Sequence, residues 1–285
     1  MEFLVSKPFQ LRIMSDELQM EEKIQKIIDE GGDQIQYDLA KILEENGWNA
    51  QISPYYKDIA TDKSREIDII ARKEFLVKDD FYNQSERVLV RLFIECKYIK
   101  NQVLFYFVKK DKKKATDFFR DNHLLRNEEY LDLQKNHYLK DEEVAKTWRP
   151  VEGRDDVYDA WTQSVHSMIY YQKNLNEKIR YVYDLPVVVL KNLDNIFRKE
   201  DGTISFSKIT SNFQLEIDYS YSLPGSLGEL KTYYIDMVSF DNFLPFLKEI
   251  EETDVLILKR ELGEKLFLRG RQSREQGDGY HFEFI

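Results

Sequence analysis

Apolar positions recur along the chain with two rhythms. Met20, Ile24, Ile27 and Ile28 follow at helical spacing after Asp16 and Gln19, which resemble a helix-starting capping box, and the pattern breaks at Gly31-Gly32. Ile35, Leu39, Ile42 and Leu43 form a second helical stripe, with Gly47 placed for a left-handed cap. Three strand-like runs follow: "WNAQISPYY" (48–56), "REIDIIARKEFLV" (65–77) and "ERVLVRLFIECKYI" (86–99). A polar, helix-leaning region is expected over 109–150. "DDVYDAWTQSVHSMIYYQKNL" (155–175) reads as a helix, with Val157, Trp161, Val165 and Met168 on one face. The apolar runs "LPVVVLKNL" (185–193) and "YYIDMVSF" (233–240) flank a hairpin around "KEDGTI" (199–204) and the alternating "FQLEIDYSYSL" (213–223). Helical segments are expected from Asp241 onward. The core order is therefore α-β-β-β-α-β, an α/β fold. The division expected is a helical extension over 1–32, an α/β domain over 33–252 with a helical insertion at about 109–150, and a C-terminal helical tail over 253–285 packed on the same domain.

The 285 residues suffice for a substantial core, and 42% hydrophobic with 14% aromatic content argues against disorder. The net charge of −10 repels polyanions, so a nucleic-acid partner needs a local basic surface. A single cysteine excludes an internal disulfide framework, and the N-terminus lacks the pattern of a secretory signal. No apolar run approaches a membrane span. These features lead to the expectation of a cytoplasmic protein with no membrane partner.

Charges inside two of the strand-like runs change the picture. Asp68, Glu95 and Lys97 occupy segments otherwise suited to burial. Alternation projects Glu95 and Lys97 together and turns Cys96 away. The midpoint of 68 and 95, at 81.5, falls in the polar stretch "DFYNQ", so a hairpin there sets Asp68 opposite Glu95. Two such carboxylates repel and lose solvation, which costs several kcal/mol per ion if uncompensated. A hard divalent cation relieves this, and Mg²⁺ characteristically takes one or two carboxylates and keeps waters. A neighbouring lysine then steadies a phosphate oxygen or acts on water, chemistry that suits phosphodiester hydrolysis.

At these residues the sequence resembles the PD-(D/E)xK nuclease superfamily, in its restriction-endonuclease-like and Holliday-junction-resolvase-like branches. "REIDIIA" resembles the first metal motif, "LFIECKY" the second, and "LAKILEENGWNAQ" the helix that opens the fold. The resemblance covers roughly residues 33–192. It implies a three-layer core, a mixed central sheet flanked by helices. It also implies Asp68 and Glu95 as metal ligands, the backbone carbonyl of Cys96 as a further ligand, and Lys97 acting on the attacking water. The family's proline before the first acid is replaced by Ile67. A second match, Asp218 with Glu229 and Lys231, adjoins the turn-rich "LPGSLG" and is set aside.

The implied activity is Mg²⁺-dependent hydrolysis of DNA rather than RNA, with Mn²⁺ able to substitute. Gln36 stands where relatives often carry an acid, with Asp38 one face over. Glu66 points to Asp68's face, and Gln163 lies off the apolar stripe of its helix beside His166 and Tyr170. Gln36, Asp38 and Glu66 read equally as solvated surface, and for Gln163 the solvated face is the preferred reading. Between residues 86 and 126, eleven Lys and Arg face five Asp and Glu, a local excess of +6. Arg65, Lys100, Lys109, Lys110, Lys112, Lys113 and Lys114 are the candidate phosphate contacts. The competing reading is a non-catalytic module of the same fold, binding a partner protein in a nucleic-acid-processing or defence complex. A homodimer or a partner protein that delivers the DNA is compatible with either.

Overall fold

The computed structural model describes residues 33–121 save 59, 80 and 83, then 136–175, 181–221 save 201 and 203, and 229–277, with 20, 21 and 23 before them. The expected helix starting at Asp16 and the extension over 1–32 lie almost wholly outside the described residues, as does 278–285.

The first helix, α1 (Asp33–Glu45), ends as its sequence demands. Gly47 takes φ 77°, and the Trp48 amide donates back to Leu43 O at 2.9 Å, closing a Schellman-type cap. Next come β1 (Asn49–Ile52), β2 (Tyr55–Asp58), β3 (Lys63–Glu66), β4 (Ile69–Asp79), β5 (Gln84–Lys97) and β6 (Val103–Lys109). Helices α2 (Lys112–Asp121) and α3 (His137–Lys140) precede β7 (Glu143–Pro150), and α4 (Asp156–Lys173) leads into β8 (Tyr181–Leu190). The hairpin β9 (Ile196–Glu200) with β10 (Phe206–Lys208), then β11 (Phe213–Tyr221) and β12 (Glu229–Ser239), complete the strands. The chain closes with α5 (Phe243–Glu249), a π-helical turn (Ile250–Asp254) and α6 (Val255–Gly277).

Ten strands form one mixed sheet in the order β1-β4-β5-β8-β12-β11-β7-β6-β9-β10. The apolar β5 and β8 are its parallel centre, running from Val88↔Tyr181 to Lys97↔Leu190. All ten residues of β8 are buried, which explains its apolar run over 185–190, and its one charge, Asp184, is met by Arg91 of β5. The helical insertion expected over 109–150 is corrected in part. Only 112–121 and 137–140 are helical among its described residues, while Glu143–Pro150 is a strand paired with β6. Its burial alternates along Lys146–Pro150 because one face is solvated, so its polar residues resemble loop or helix in sequence.

The runs 48–56 and 65–77 are not single strands either. Each breaks at the same level, Ser53-Pro54 and Ile67-Asp68, with the outer halves β2 and β3 forming a separate two-stranded ribbon. One register nevertheless runs through both parts. Ile52 pairs with Ile69, Ser53 N donates to Asp68 O at 2.8 Å, Ile67 N donates to Pro54 O at 3.2 Å, and Tyr55 pairs with Glu66. The pair is one hairpin with a crease, and Ser53 absorbs the crease at φ 50°.

Side chains on paired strands alternate in step, so the register assigns faces. Asp68, Glu95, Val188 and Met237 share one face, covered by α4, whose Trp161 packs on Tyr219 and whose Tyr171 packs on Phe93. The opposite face carries Lys73, which donates to Asn46 O at the end of α1 and to Glu251 before α6. Helix α6 also contacts β4 and β5.

Candidate active site

The crease places Asp68 where β4 leaves the sheet, one step beyond the Ile69↔Ile94 pair and therefore opposite Glu95. With the strand departing, the Cys96 amide loses the backbone carbonyl it would otherwise meet. The Asp68 carboxylate replaces it, accepting from Cys96 N at 2.7 Å. In an extended strand a residue's N–H and C=O point to the same side, so the Cys96 carbonyl also faces Asp68. The Cys96 thiol turns into the core, and burial pushes its pKa well up.

Glu95 is only 2% exposed. Burial first, then the Asp68 charge, raises its pKa to about 8 against the opposing pull of Lys97. Lys97 Nζ donates to Glu95 Oε1 at 2.7 Å. Burial works against the Lys97 ammonium, but Glu95 more than offsets it and the lysine pKa rises. With its amide turned to satisfy both ends, Gln163 of α4 donates to Glu95 Oε1 at 2.8 Å and to Asp159 O at 3.2 Å. Glu95 Oε2, by contrast, is buried with no hydrogen-bond partner among the described residues. Such an orphan acceptor beside a second carboxylate is a costly arrangement for a purely structural group.

Gln36 of α1 is buried and supports the crease from below. Its Nε2 donates to Asp68 O and, at 2.9 Å, to Ser53 Oγ. The structure thus gathers Asp68, Glu95, Lys97, Cys96, Gln36 and Gln163. It does not gather Asp38, which accepts from Gln34 at 2.9 Å one helical turn away. Glu66 is also outside: the crease takes it onto the ribbon opposite Tyr55, to which it hydrogen-bonds.

Among the expected phosphate-binding residues, Lys110, Lys112, Lys114 and Arg65 are engaged within the fold. Lys110 is buried, donating to Tyr138 O at 3.1 Å and Gln214 Oε1 at 2.6 Å, and burial lowers its pKa to about 8. Lys112 donates to Leu139 O and Asp141 O and pairs with Glu142. Lys114 lies 3.5 Å from Asp218 and 3.8 Å from Glu216, both on the sheet face opposite Glu95. Lys100, Lys109 and Lys113 are exposed. Arg65 on the ribbon is committed to Asp58 at 2.7 Å. Part of the excess of +6 is thus taken up inside the fold, by Gln214 and Tyr138 O at Lys110, by Glu142 at Lys112 and by Glu216 and Asp218 at Lys114. No family model, curated protein or solved structure matches this chain.

The register also disposes of the second motif copy, because Lys231 pairs with Tyr219 on one face while Asp218 pairs with Thr232 on the other. Sequence reading missed the ribbon's grip on α4. Asp58, also held by Thr61, has its Oδ1 3.2 Å from His166 Nδ1, and His166 Nε2 meets Tyr219 Oη at 2.8 Å. Burial holds the His166 pKa below its usual value despite Asp58. Tyr56 on the same ribbon face is buried with an unpartnered hydroxyl, and burial, then Asp58 and Glu95, raise its pKa. The only advance signal was the alternation of "YYKD". Two cavities of about 440 Å³ each open elsewhere; one is lined by His137, Gln214, Asp236 and Phe246, the other by Arg198 and Lys208.

Proposed function

We propose that this chain is a metal-dependent nuclease with a restriction-endonuclease-like core, hydrolysing DNA phosphodiester bonds. The observation that carries the reading is the Asp68–Glu95 pair at the crease, with a buried, unpartnered Glu95 oxygen beside Lys97. The succession α1-β1-β4-β5-α4-β8, with β1, β4, β5 and β8 adjacent in the sheet, supports the fold-level half of the proposal.

The donor set fits a hard cation. Asp68, Glu95 and the Cys96 carbonyl offer oxygen only, and no cluster of three or more His, Cys, Asp or Glu suited to a metal occurs among the described residues. Mg²⁺ suits such a set because it retains waters and needs few protein ligands. When bound, it supplies positive charge and Lewis acidity at the phosphoryl group. The chain's own residues do the rest. Gln163 and Lys97 hold Glu95 Oε1, which leaves Oε2 for the ion. The Cys96 amide and Gln36 fix Asp68 at the crease. Lys97 is cationic and partly exposed, so it can hold a phosphate oxygen or orient the attacking water.

Purified protein is expected to nick or degrade DNA in Mg²⁺ or Mn²⁺. Asp68→Ala and Lys97→Ala each lower the rate by 10²-fold or more, with circular dichroism unchanged. Cleavage that survives both substitutions refutes the assignment. The short Glu95–Lys97 ion pair favours a second reading, a non-catalytic module in which the pair is structural; it requires that calorimetry detect no divalent-metal binding.

A further inference from the structure

The loop that leads into α4 carries an arginine that the proposed chemistry does not use. Arg154 stands two residues before Asp156, where the helix begins, and its side chain is 77% exposed. The loop itself is fixed. Val151 N donates to Gln102 O at 2.8 Å, and Asn101 Nδ2 donates to Glu152 O at 3.2 Å. Gly153, at φ 79°, passes so near Asn101 that a Cβ there would meet its amide nitrogen at 2.7 Å. Asp155 closes the loop as the cap of α4, accepting from Tyr158 N at 3.0 Å and from Trp148 Nε1 at 2.7 Å. Asn101 comes four residues after Lys97, so these contacts tie the Arg154 loop to the segment that leaves β5.

A second chain of contacts joins Arg154 to the site. Its Nε donates to Asp159 Oδ2 at 2.7 Å and its Nη2 reaches the same oxygen, with Asp156 at 3.9 Å. Asp159 O accepts from Gln163, Gln163 donates to Glu95 Oε1, and Lys97 Nζ donates to that same Glu95 oxygen. The Asp159 charge also bears on Lys97. Two cations, Arg154 and the partly exposed Lys97, therefore meet the charge of one carboxylate in the first turn of α4. The Arg154–Asp159 pair is poorly matched, because two guanidinium donors share a single oxygen. A phosphodiester offers two free oxygens that such a fork takes side by side. An ion pair this exposed contributes little to the fold, so its acceptor is exchangeable.

Resting on the nuclease reading above, we propose that Arg154 binds a phosphate of the DNA backbone other than the one attacked, and that Asp159 occupies the guanidinium until the substrate displaces it. Asp159 then acts as a competitor built into the chain, and its removal strengthens binding only where Arg154 is present to be released.

The test is fluorescence anisotropy with a fluorescein-labelled DNA duplex across a salt series, in EDTA so that nothing is cut, beside Mg²⁺-dependent cleavage of the same duplex. Arg154→Ala is expected to weaken binding about fivefold or more and to reduce the slope of log affinity against log salt by about one, the mark of one lost phosphate contact. Asp159→Asn tightens binding in the parent, and most of that gain vanishes in the R154A/D159N double variant. Arg154→Ala with the parent's affinity and slope, even if its melting temperature falls, makes the pair structural and overturns the proposal. So does an Asp159→Asn gain of equal size with and without Arg154. The two readings fail separately. Binding that depends on Arg154 without Mg²⁺-dependent cleavage removes the nuclease and leaves the phosphate contact. Cleavage and binding indifferent to Arg154 remove the contact and leave the nuclease, and a parent that neither binds nor cuts removes both.

Discussion

At the scale of single residues, the question is whether Glu95 is held charged for chemistry or for stability. Its pKa is raised to about 8 although Lys97 is 2.7 Å away, so burial and Asp68 outweigh the ion pair. Replacing the carboxylate by an amide of the same shape removes that penalty, and Lys97, one quarter exposed, remains able to hydrate. Glu95→Gln is therefore expected to stabilise the metal-free protein at pH 8, because the buried charge beside Asp68 is gone, and, under the nuclease proposal, to abolish cleavage. Urea denaturation in EDTA checks it, and a variant less stable than the parent would mark the charge as structural. The pairing itself was legible in the sequence. The observed β4–β5 register centres on 81.5, the midpoint obtained from positions 68 and 95, because a long hairpin with one polar tip leaves little freedom in register. The lysine assignments were not legible. Whether Lys110 is exposed depends on Gln214, a residue 104 positions away.

At the scale of elements, the crease does what neither strand's sequence announces. A strand that continued alongside β5 would meet the Cys96 amide with a backbone carbonyl. By bending at Ser53-Pro54 and Ile67-Asp68, the hairpin frees the Asp68 side chain to take the Cys96 amide. Gln36 holds the bend from α1 through the Asp68 carbonyl and Ser53 Oγ. Gln36→Ala leaves those buried groups short of a donor. It is expected to cost about 1–3 kcal/mol and to reduce cleavage more than DNA binding, as measured by turnover and anisotropy on the same preparation. Burial periodicity foretold α1 and α4 correctly because each has a single apolar stripe. It failed at β7, a strand with one wet face, and at the crease, beyond which the ribbon's Tyr56 and Asp58 turn to α4.

At the scale of the whole molecule, a polar pin on the far face ties the C-terminal segments to the sheet. His137 donates its backbone amide to Asp254 Oδ1 at 3.1 Å and its ring contacts Asp254 Oδ2, while Nε2 meets Asp236 Oδ2 at 3.1 Å. Tyr183 donates to Asp254, and Gln214 to Asp236. Burial disfavours the imidazolium, yet the two aspartates raise its pKa to about 10. A raised pKa contributes stability that is fully present below the unfolded value of 6.5 and lost as pH rises through about 10. His137→Asn should thus cost about 3–5 kcal/mol near neutrality, the scale for breaking a buried ion network. The gap from the parent in thermal melts should narrow as pH climbs from 7 to 10.5, and a pH-independent gap would contradict the charged assignment. No helix among the described residues is long and apolar enough to cross a membrane.

The crease has one more consequence, for tolerance to change. A single register spans sheet and ribbon, so adding one residue between Ser53 and Asp58, or between Lys63 and Asp68, swaps the inward and outward sides of everything beyond it. The turn at Ala60–Asp62 escapes that constraint, since Asp62 already adopts φ 58° and the strands on either side keep their partners whatever its length. Evolution or an engineer wishing to append a new segment near this carboxylate has that tip as the place to splice it.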